Sequence, residues 1–360
     1  MGKIKLAIVG CGNCASFLMQ CIELYKGNKE QVIPGVMHTF VGDYHISDIE
    51  PVAAFDVSDK KVGKDLSEAL QEADTINTET VARLPKYGVE VRKGPVLDGV
   101  GEMLGHKVKV EPKQKPADVV KILQESGAEV LISYLPVGSY EATRFYAECA
   151  IKAGCAFINC IPEFIASDPE WVKKFEDAKL PLIGDDVKGQ LGASVLSRTL
   201  AKLFSDRGVK LEHMYQLNFG GNTDFLNLLE HSRLKYKRIS KTETVQSQLL
   251  KRLEDENIHI GPSDYVPWLK SRKVAMIRME GKTFGNSRIV MDVRLDVEDK
   301  SVSAGVMIDA IRCAKLALDR GTGGVLSSPS AYFMKSPPQQ FPDPVAHQMV
   351  EEFIKGARER

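Results

Sequence analysis

The chain has 360 residues, enough for about two domains and for a core that needs neither metal nor disulfide to hold it. Its 48 Lys and Arg are balanced by 48 Asp and Glu, which excludes a chain-wide field for nucleic acid or membrane surfaces but leaves room for a local basic pocket. The seven cysteines, an odd number, point to reduced thiols of a cytoplasmic protein; the N-terminal residues lack a signal-peptide pattern, and no stretch reaches the ~20 apolar residues of a membrane span.

Residues Lys3 to Val9 predict a buried parallel strand. Gly10, Gly12 and Ala15 then give G-x-G-x-x-A at the start of an apolar-periodic helix, the pattern of a dinucleotide-binding turn. Gly10 permits the tight turn, Gly12 lets the backbone approach a pyrophosphate, and Ala15 allows close packing of helix and strand. The helix N-terminus offers unpaired N–H groups to the phosphates. Cys11 and Cys14 have C-x-x-C spacing, but they lie inside this loop and read as small turn residues. Leu18, Cys21, Ile22 and Tyr25 form one helix face, and Gly27 ends it. Residues 28–47 are an insertion without a strong period. The second strand, EPVAAFDV, closes near Asp56, an acid placed to hold ribose hydroxyls; a helix cap or turn role is the plain alternative.

Residues 58–115 are mixed and charged and yield no clear elements. Beyond them, Ala128–Pro136 predicts a strand, 139–153 a helix stopped by Gly154, and CAFINCIP another strand. Asp168 caps a helix with Pro169 at its first position, and Leu180–Gly184 is again a buried strand. This rhythm predicts an α/β chain with a Rossmann-like, doubly wound parallel sheet. Ligands bind beyond the carboxyl ends of such strands, which carry Ser133, Tyr134, Asn159, Cys160, Asp185 and Asp186. From about Val209 the strands look antiparallel. In RIVMDVRLDVED, Ile289, Met291, Val293, Leu295 and Val297 alternate with charged residues, as in a half-exposed sheet. The expected division is a Rossmann-like domain over 1–191, with 303–360 returning to it. Residues 192–302 would form an α+β domain for catalysis and oligomerisation. A helix with Met307, Ile311, Ala314 and Leu318 on one face ends at Gly321.

Four places could carry chemistry. Asp185, Asp186 and Lys188 follow a strand's carboxyl end; Asn222 and Asp224, in FGGNTDF, suit sugar hydroxyls. In SRLKYKRISK, Arg233, Lys235, Lys237, Arg238 and Lys241 cluster, with Lys237 and Lys241 one helical turn apart and able to converge on one anion. Clustered ammonium groups also lower one another's pKa toward proton transfer or Schiff-base chemistry. Lys335 lies on a stiff segment between two aromatics and a proline pair. The plain readings are a helix-capping loop, a turn, a solvated basic face and an incidental lysine. No histidine pair, zinc cysteine pattern or G-x-S-x-G elbow supplies another chemistry, so lysines and aspartates are the expected acid–base groups.

The glycine loop, GDDVKGQ, GGNTDFLNL followed by lysines, SAGVMIDA and SAYFMKSPP together resemble the prokaryotic inositol-3-phosphate synthases, also called myo-inositol-1-phosphate synthases. The resemblance runs over most of the chain. It implies conversion of glucose 6-phosphate to inositol phosphate: NAD⁺ oxidises C5, C6 loses a proton, C6 attacks C1, and the NADH formed reduces C5. It implies catalytic roles for Lys237, Lys241, Lys335, Asp309 and one of Asp185 or Asp186. Lys188, Asn222 and Asp224 would line the same cavity. Gly10, Gly12, Asn13, Cys14, Asp56, Ser133 and Asn159 would hold NAD. Where many members carry lysine in G-D-S-K, this chain has Arg288, which can bind phosphate but cannot release a proton. A divalent cation is a further possible cofactor for which the sequence shows no ligand set. The family also implies a homotetramer, with no nucleic-acid or membrane partner. Two other functions fit the glycine loop: an NAD(P)-dependent dehydrogenase of a phosphorylated or polyhydroxy substrate, and a non-catalytic dinucleotide sensor.

Overall fold

A computed structural model describes residues 2–27, 32–73, 75–77, 79–230 and 235–360, without the side chains of 235–240 and 262–263. Its strands are β1 (Ile4–Val9), β2 (Phe40–Val41), β3 (Tyr44–His45), β4 (Ile49–Asp56), β5 (Val91–Lys93), β6 (Val130–Ser133), β7 (Ala156–Asn159), β8 (Pro181–Ile183), β9 (Lys210–Gly220), β10 (Ile258–Tyr265), β11 (Arg272–Lys282), β12 (Arg288–Glu298) and β13 (Gly324–Val325).

Seven strands form one sheet in the order β13-β8-β7-β6-β1-β4-β5, and every pairing is parallel. Parallel strands need crossovers, which cover both faces, so their sequences are apolar without alternation. Ile4, Leu6 and Ile8 of β1 pack into one core with the helices Asn13–Leu24 and Asp299–Asp319. Ala7 and Val9 join the opposite core, under Tyr146 and Phe175 of the helices Tyr140–Ala153 and Pro169–Asp177. The strand order reverses between β1 and β6, and the crevice at that switch point lies beyond their carboxyl ends.

The expected helix stops are present: Gly27 and Gly154 are left-handed, and the Asp168 side chain accepts from Glu170 N at 2.9 Å. The 28–47 insertion has more order than its lack of period suggests, since β2 and β3 pair as a small antiparallel hairpin. Within 58–115, β5 takes the sheet's edge beside β4. It is too short for a period to show.

The second sheet has the order β10-β9-β11-β12. β9, β11 and β12 are antiparallel, but β10 joins β9 in parallel, because the helix Lys235–Gln246 crosses over between them. Met214, Ile258, Ile260, Ile277 and Met279 face Ala201, Phe204 and Val245 of two covering helices. Ile289, Met291 and Val293 of β12 pack against that cluster, so the alternation read from the sequence turns its apolar face inward. The outer face carries Tyr215, Leu217, Met276 and Val290 in exposed positions.

The C-terminal segment packs on the first sheet. The helix Asp299–Asp319 is buried along most of its length against Asn13–Leu24 and the ends of β7 and β8, and β13 adds to the edge at β8. No helix among the described residues is long and apolar enough to cross a membrane.

Candidate active site

A cavity opens at the switch point, between the parallel sheet and the helices that flank the second sheet. Its empty space is about 1870 Å³ with its open mouth included. One wall is the glycine turn, with Gly10, Gly12, Asn13 and Cys14. Gly10 has φ +84°, and a Cβ there would lie 2.6 Å from the Tyr134 carbonyl oxygen, so only glycine fits. Gly12 caps the helix without a side-chain hydrogen bond, and a Cβ on it would meet open space. The first helical N–H groups therefore face the cavity without a side chain in the way, as an anion cradle requires.

Asp56 also lines the cavity. Its Oδ2 accepts from Cys11 N at 2.9 Å, and its Oδ1 accepts from Val57 N and Ser58 N at 2.7 and 2.9 Å. The carboxylate thus fixes the glycine turn as well as facing any ligand. Lys61, which sequence reasoning did not single out, donates to the Cys11 carbonyl at 2.7 Å and lies 3.9 Å from Asp56. Cys11 and Cys14 have their thiol pKa values raised by burial, against the pull of Lys61 and Lys300 respectively. Protonated thiols are poor nucleophiles and ligands, in keeping with small turn residues.

The opposite wall is cationic. Lys241, Lys273, Lys300 and Lys335 reach the cavity from four different elements, together with Asp186, Asp224 and Asp299. Lys335 Nζ donates to Asp186 Oδ1 at 2.9 Å. Asp299 lies 3.3 Å from Lys273 Nζ and 3.4 Å from Lys300 Nζ, and accepts from Asn222 Nδ2 at 3.3 Å. Burial disfavours the Lys300 charge, but the carboxylates of Asp299 and Asp224 help to outweigh it and hold its pKa above the ordinary lysine value. It stays an ammonium group. Between the walls, Gly189, Gly192, Ala193 and Ser194 bring in the start of the helix Ala193–Asp206, whose N-cap Gly192 makes no side-chain cap.

Several residues singled out from the sequence support the cavity from behind. Asp185 points away from it, accepting from Asn159 Nδ2 at 2.8 Å and from the backbone N–H groups of Ile165, Ala166 and Ser167, each at 3.1 Å. Burial pushes its carboxyl up to about 7 while those donors pull it down. Asn159 is spent on this bond and on the Glu163 carbonyl, at 2.6 Å. Asn222 caps the helix Thr223–Asn227, its Oδ1 accepting from Asp224 N and Phe225 N. Lys188 is buried against Asp343 at 2.9 Å and the Ala331 carbonyl at 3.1 Å. Burial, with Arg198 beside it, lowers its pKa to about 8.

Three residues are placed elsewhere. Ser133 is buried at the end of β6 and does not line the cavity. Arg288 stands at the far end of β12, ten residues and about 33 Å of extended strand from Glu298, where it is paired with Glu280 at 2.9 Å. It is not brought to the cationic wall, and Lys273 and Lys300 supply charge there instead. Asp309 lies ten residues, about 15 Å, along its helix from Asp299 and is fully buried between His38 and Arg312. Its role is therefore placed outside the cavity lining. The Lys237 side chain, like those of Lys235 and Arg238, lies outside the described residues, as does Arg233.

Comparison with known proteins gives a consistent picture. The profile of the family described as myo-inositol-1-phosphate synthase matches residues 192–300. The inositol-3-phosphate synthase of Mycolicibacterium smegmatis is 53% identical over 360 residues, which cover 99% of both chains. That of Corynebacterium glutamicum is 50% identical over 357 residues, 98% of both chains. Among solved structures, a myo-inositol-1-phosphate synthase-related protein from Thermotoga maritima matches with a TM-score of 0.81 at 25% identity, over 98% of both chains.

Proposed function

From the finding that this chain belongs to the inositol-3-phosphate synthase family, we infer how its cavity works. The reaction is the isomerisation of glucose 6-phosphate to inositol phosphate. The observation that carries the site assignment is the convergence of Lys241, Lys273, Lys300 and Lys335 on the space beside the glycine turn.

The glycine turn, Asn13 and the open helix N-terminus fit the pyrophosphate of NAD, and Asp56 with Lys61 faces the ribose beside it. A bound NAD supplies reversible hydride storage at C5, which leaves no net redox change. The chain's own residues do the rest. The uncapped start of the helix Ala193–Asp206 receives the substrate phosphate through its free N–H groups, with Lys241 as counter-charge. Once C5 is a ketone, the C6 proton becomes acidic; the Asp224 carboxylate takes it and returns it to the C1 oxygen after ring closure, and in between negative charge develops on the C5 oxygen. Lys335, held by Asp186, and the Lys273–Asp299–Lys300 group put fixed positive charge around that oxygen. The same charges hold the C1 carbonyl oxygen as C6 adds to C1. Asp224 and Asn222 belong to the hydroxyl-facing wall, with Asn222 acting through its cap and through Asp299.

We also assign residues 192–302 as the catalytic and oligomerisation domain of a homotetramer, with 1–191 and 303–360 as the NAD-binding domain. Support comes from the outer face of the second sheet, where Tyr215, Leu217, Met276 and Val290 lie exposed beside the ion pairs of Arg278 with Asp292 and Glu280. All seven cysteines are unpaired, which supports a cytoplasmic, reducing location. The assay is glucose 6-phosphate with NAD⁺ and identification of the phosphate ester formed. The expected product is 1D-myo-inositol 3-phosphate, and an oxidised sugar phosphate with accumulating NADH would overturn the reading in favour of a dehydrogenase.

A further inference from the structure

Outside the cavity, two segments far apart in sequence bring three metal-ligating side chains together. His38 comes from the insertion ahead of β2, and His347 and Glu351 are one turn apart on the helix Asp343–Ile354. Their ligand atoms all lie within 4.8 Å of one another. His38 Nε2 is 2.9 Å from Glu351 Oε1, and His347 Nε2 is 3.8 Å from that same oxygen. Two imidazole nitrogens and a carboxylate oxygen are a standard donor set for zinc and similar divalent transition ions, with a fourth position left for water.

The surroundings are those of a metal site. His38 Nδ1 is 2.5 Å from Asp309 Oδ2, and the other oxygen of Asp309 is bonded by the Arg312 guanidinium. A carboxylate on the far nitrogen of a ligating histidine fixes the tautomer and the ring direction, aiming Nε2 at the ion. Arg312 also bonds the carbonyl oxygens of His38 and Thr39, at 2.7 and 2.9 Å, so the backbone carrying the ligand is held too. Glu351 keeps its second oxygen on Lys355 at 3.3 Å, leaving Oε1 as the metal-facing atom. The Tyr332 ring packs on His347 at 5.3 Å between centroids. The side chains grade from fully buried Asp309 to a half-exposed His347, which gives an ion a path from solvent.

We propose that His38, His347 and Glu351, backed by Asp309, form a binding site for a zinc-like divalent transition ion that clasps the 32–48 segment to the C-terminal helix. This site is separate from the cavity, since Asp309 stands about 15 Å along its helix from Asp299. It does not depend on the proposed catalytic roles.

The test uses the full chain stripped with a chelator and titrated with Zn²⁺ alone, or with Co²⁺ followed by its visible absorption. The expected result is one saturable equivalent, tetrahedral Co²⁺ bands and a raised melting temperature. Losing a group that hydrogen-bonds a metal-ligating side chain costs roughly 10–100-fold in affinity, so removing a direct ligand should cost at least that. His347→Ala changes a half-exposed side chain and should fold normally while losing the tight equivalent; Glu351→Gln should do the same. Asp299→Asn, in the cavity, should keep it. Absence of a saturable equivalent in the parent chain, or its survival in His347→Ala, would overturn the proposal. So would its loss in Asp299→Asn alone, which would move the ion to the cavity.

Discussion

Lys335 and Asp186, 149 residues apart, are joined twice: the ammonium donates to the carboxylate at 2.9 Å, and the Lys335 N–H donates to the Asp186 carbonyl at 2.7 Å. Thr244 Oγ1 and Gln340 Nε2 donate to the Lys335 carbonyl at 2.9 and 2.6 Å. The lysine's main chain is thus fixed on both sides, and its charge is aimed before any ligand arrives. Preorganised charge of this kind stabilises a transition state without reorganisation at the moment of reaction. Lys335→Ala should therefore lower kcat by roughly 10²–10³-fold, the cost of removing one such group. NAD affinity, measured by calorimetry, should stay near that of the parent.

Asp299 sets the charge of its wall. It holds both Lys273 and Lys300 within 3.4 Å. Asp299→Asn removes a carboxylate that the two ammonium groups share and leaves Asp224 to oppose the burial of Lys300, which disfavours the Lys300 charge. The variant should lose activity by about 10²-fold, in the range of a lost electrostatic group. Its rate profile should fall at a lower pH on the alkaline limb, as Lys300 loses its proton more readily. An unchanged alkaline limb would argue against this coupling.

Gly10→Ala should fail for steric reasons. The residue sits at φ +84°, and its new Cβ would approach the Tyr134 carbonyl oxygen to 2.6 Å. A non-glycine residue forced into such a conformation costs about 1–3 kcal/mol before any clash is counted. Denaturant titration should show at least that loss, accompanied by weaker NAD binding. Gly12→Ala, with open space around its Cβ, should leave stability nearly unchanged and weaken only the cofactor.

Asp185 gives a pH signature. Its carboxyl is raised from 3.8 to about 7 by burial, although Asn159 and three backbone donors oppose the shift. Because the folded state binds the proton more tightly, this group's contribution is full below pH ~4 and is lost as the pH rises through about 7. Over that window the stability of the parent relative to Asp185→Asn should fall by up to about 4 kcal/mol. Melting temperatures of the two proteins from pH 4 to 8 measure it. A constant difference across the series would mean that the four donors keep the carboxylate ionised throughout.

The parallel sheet and the glycine turn were legible because each rests on local signals: unbroken apolar strands, and glycines at fixed spacing before a helix. Lys335 was legible from its stiff setting and from resemblance. Between the neighbours Asp185 and Asp186 the sequence could not choose; the choice rests on the backbone, where Asp186 turns to φ +63° and presents its carboxylate to the cavity. Lys273, Asp299 and Lys300 were missed because nothing local marks them. They meet because β11 and β12 pair with Arg272 opposite Glu298, which sets Lys273 beside the start of the next helix. Asp309 was named through the resemblance alone, and its partners are Arg312 one turn on and His38 some 271 residues back. Likewise, the histidines show no metal spacing in the sequence, and only the fold brings His38 to His347.

The most direct test of the central claim, that the chain isomerises through a hydride held and returned within one site, is isotope tracing. Glucose 6-phosphate labelled with deuterium at C5 would be turned over with unlabelled NAD⁺ and a trap for free NADH. The predicted result is inositol phosphate that keeps its deuterium at the original carbon, with none in the trapped NADH. Deuterium leaving into free NADH in step with substrate loss would contradict the account.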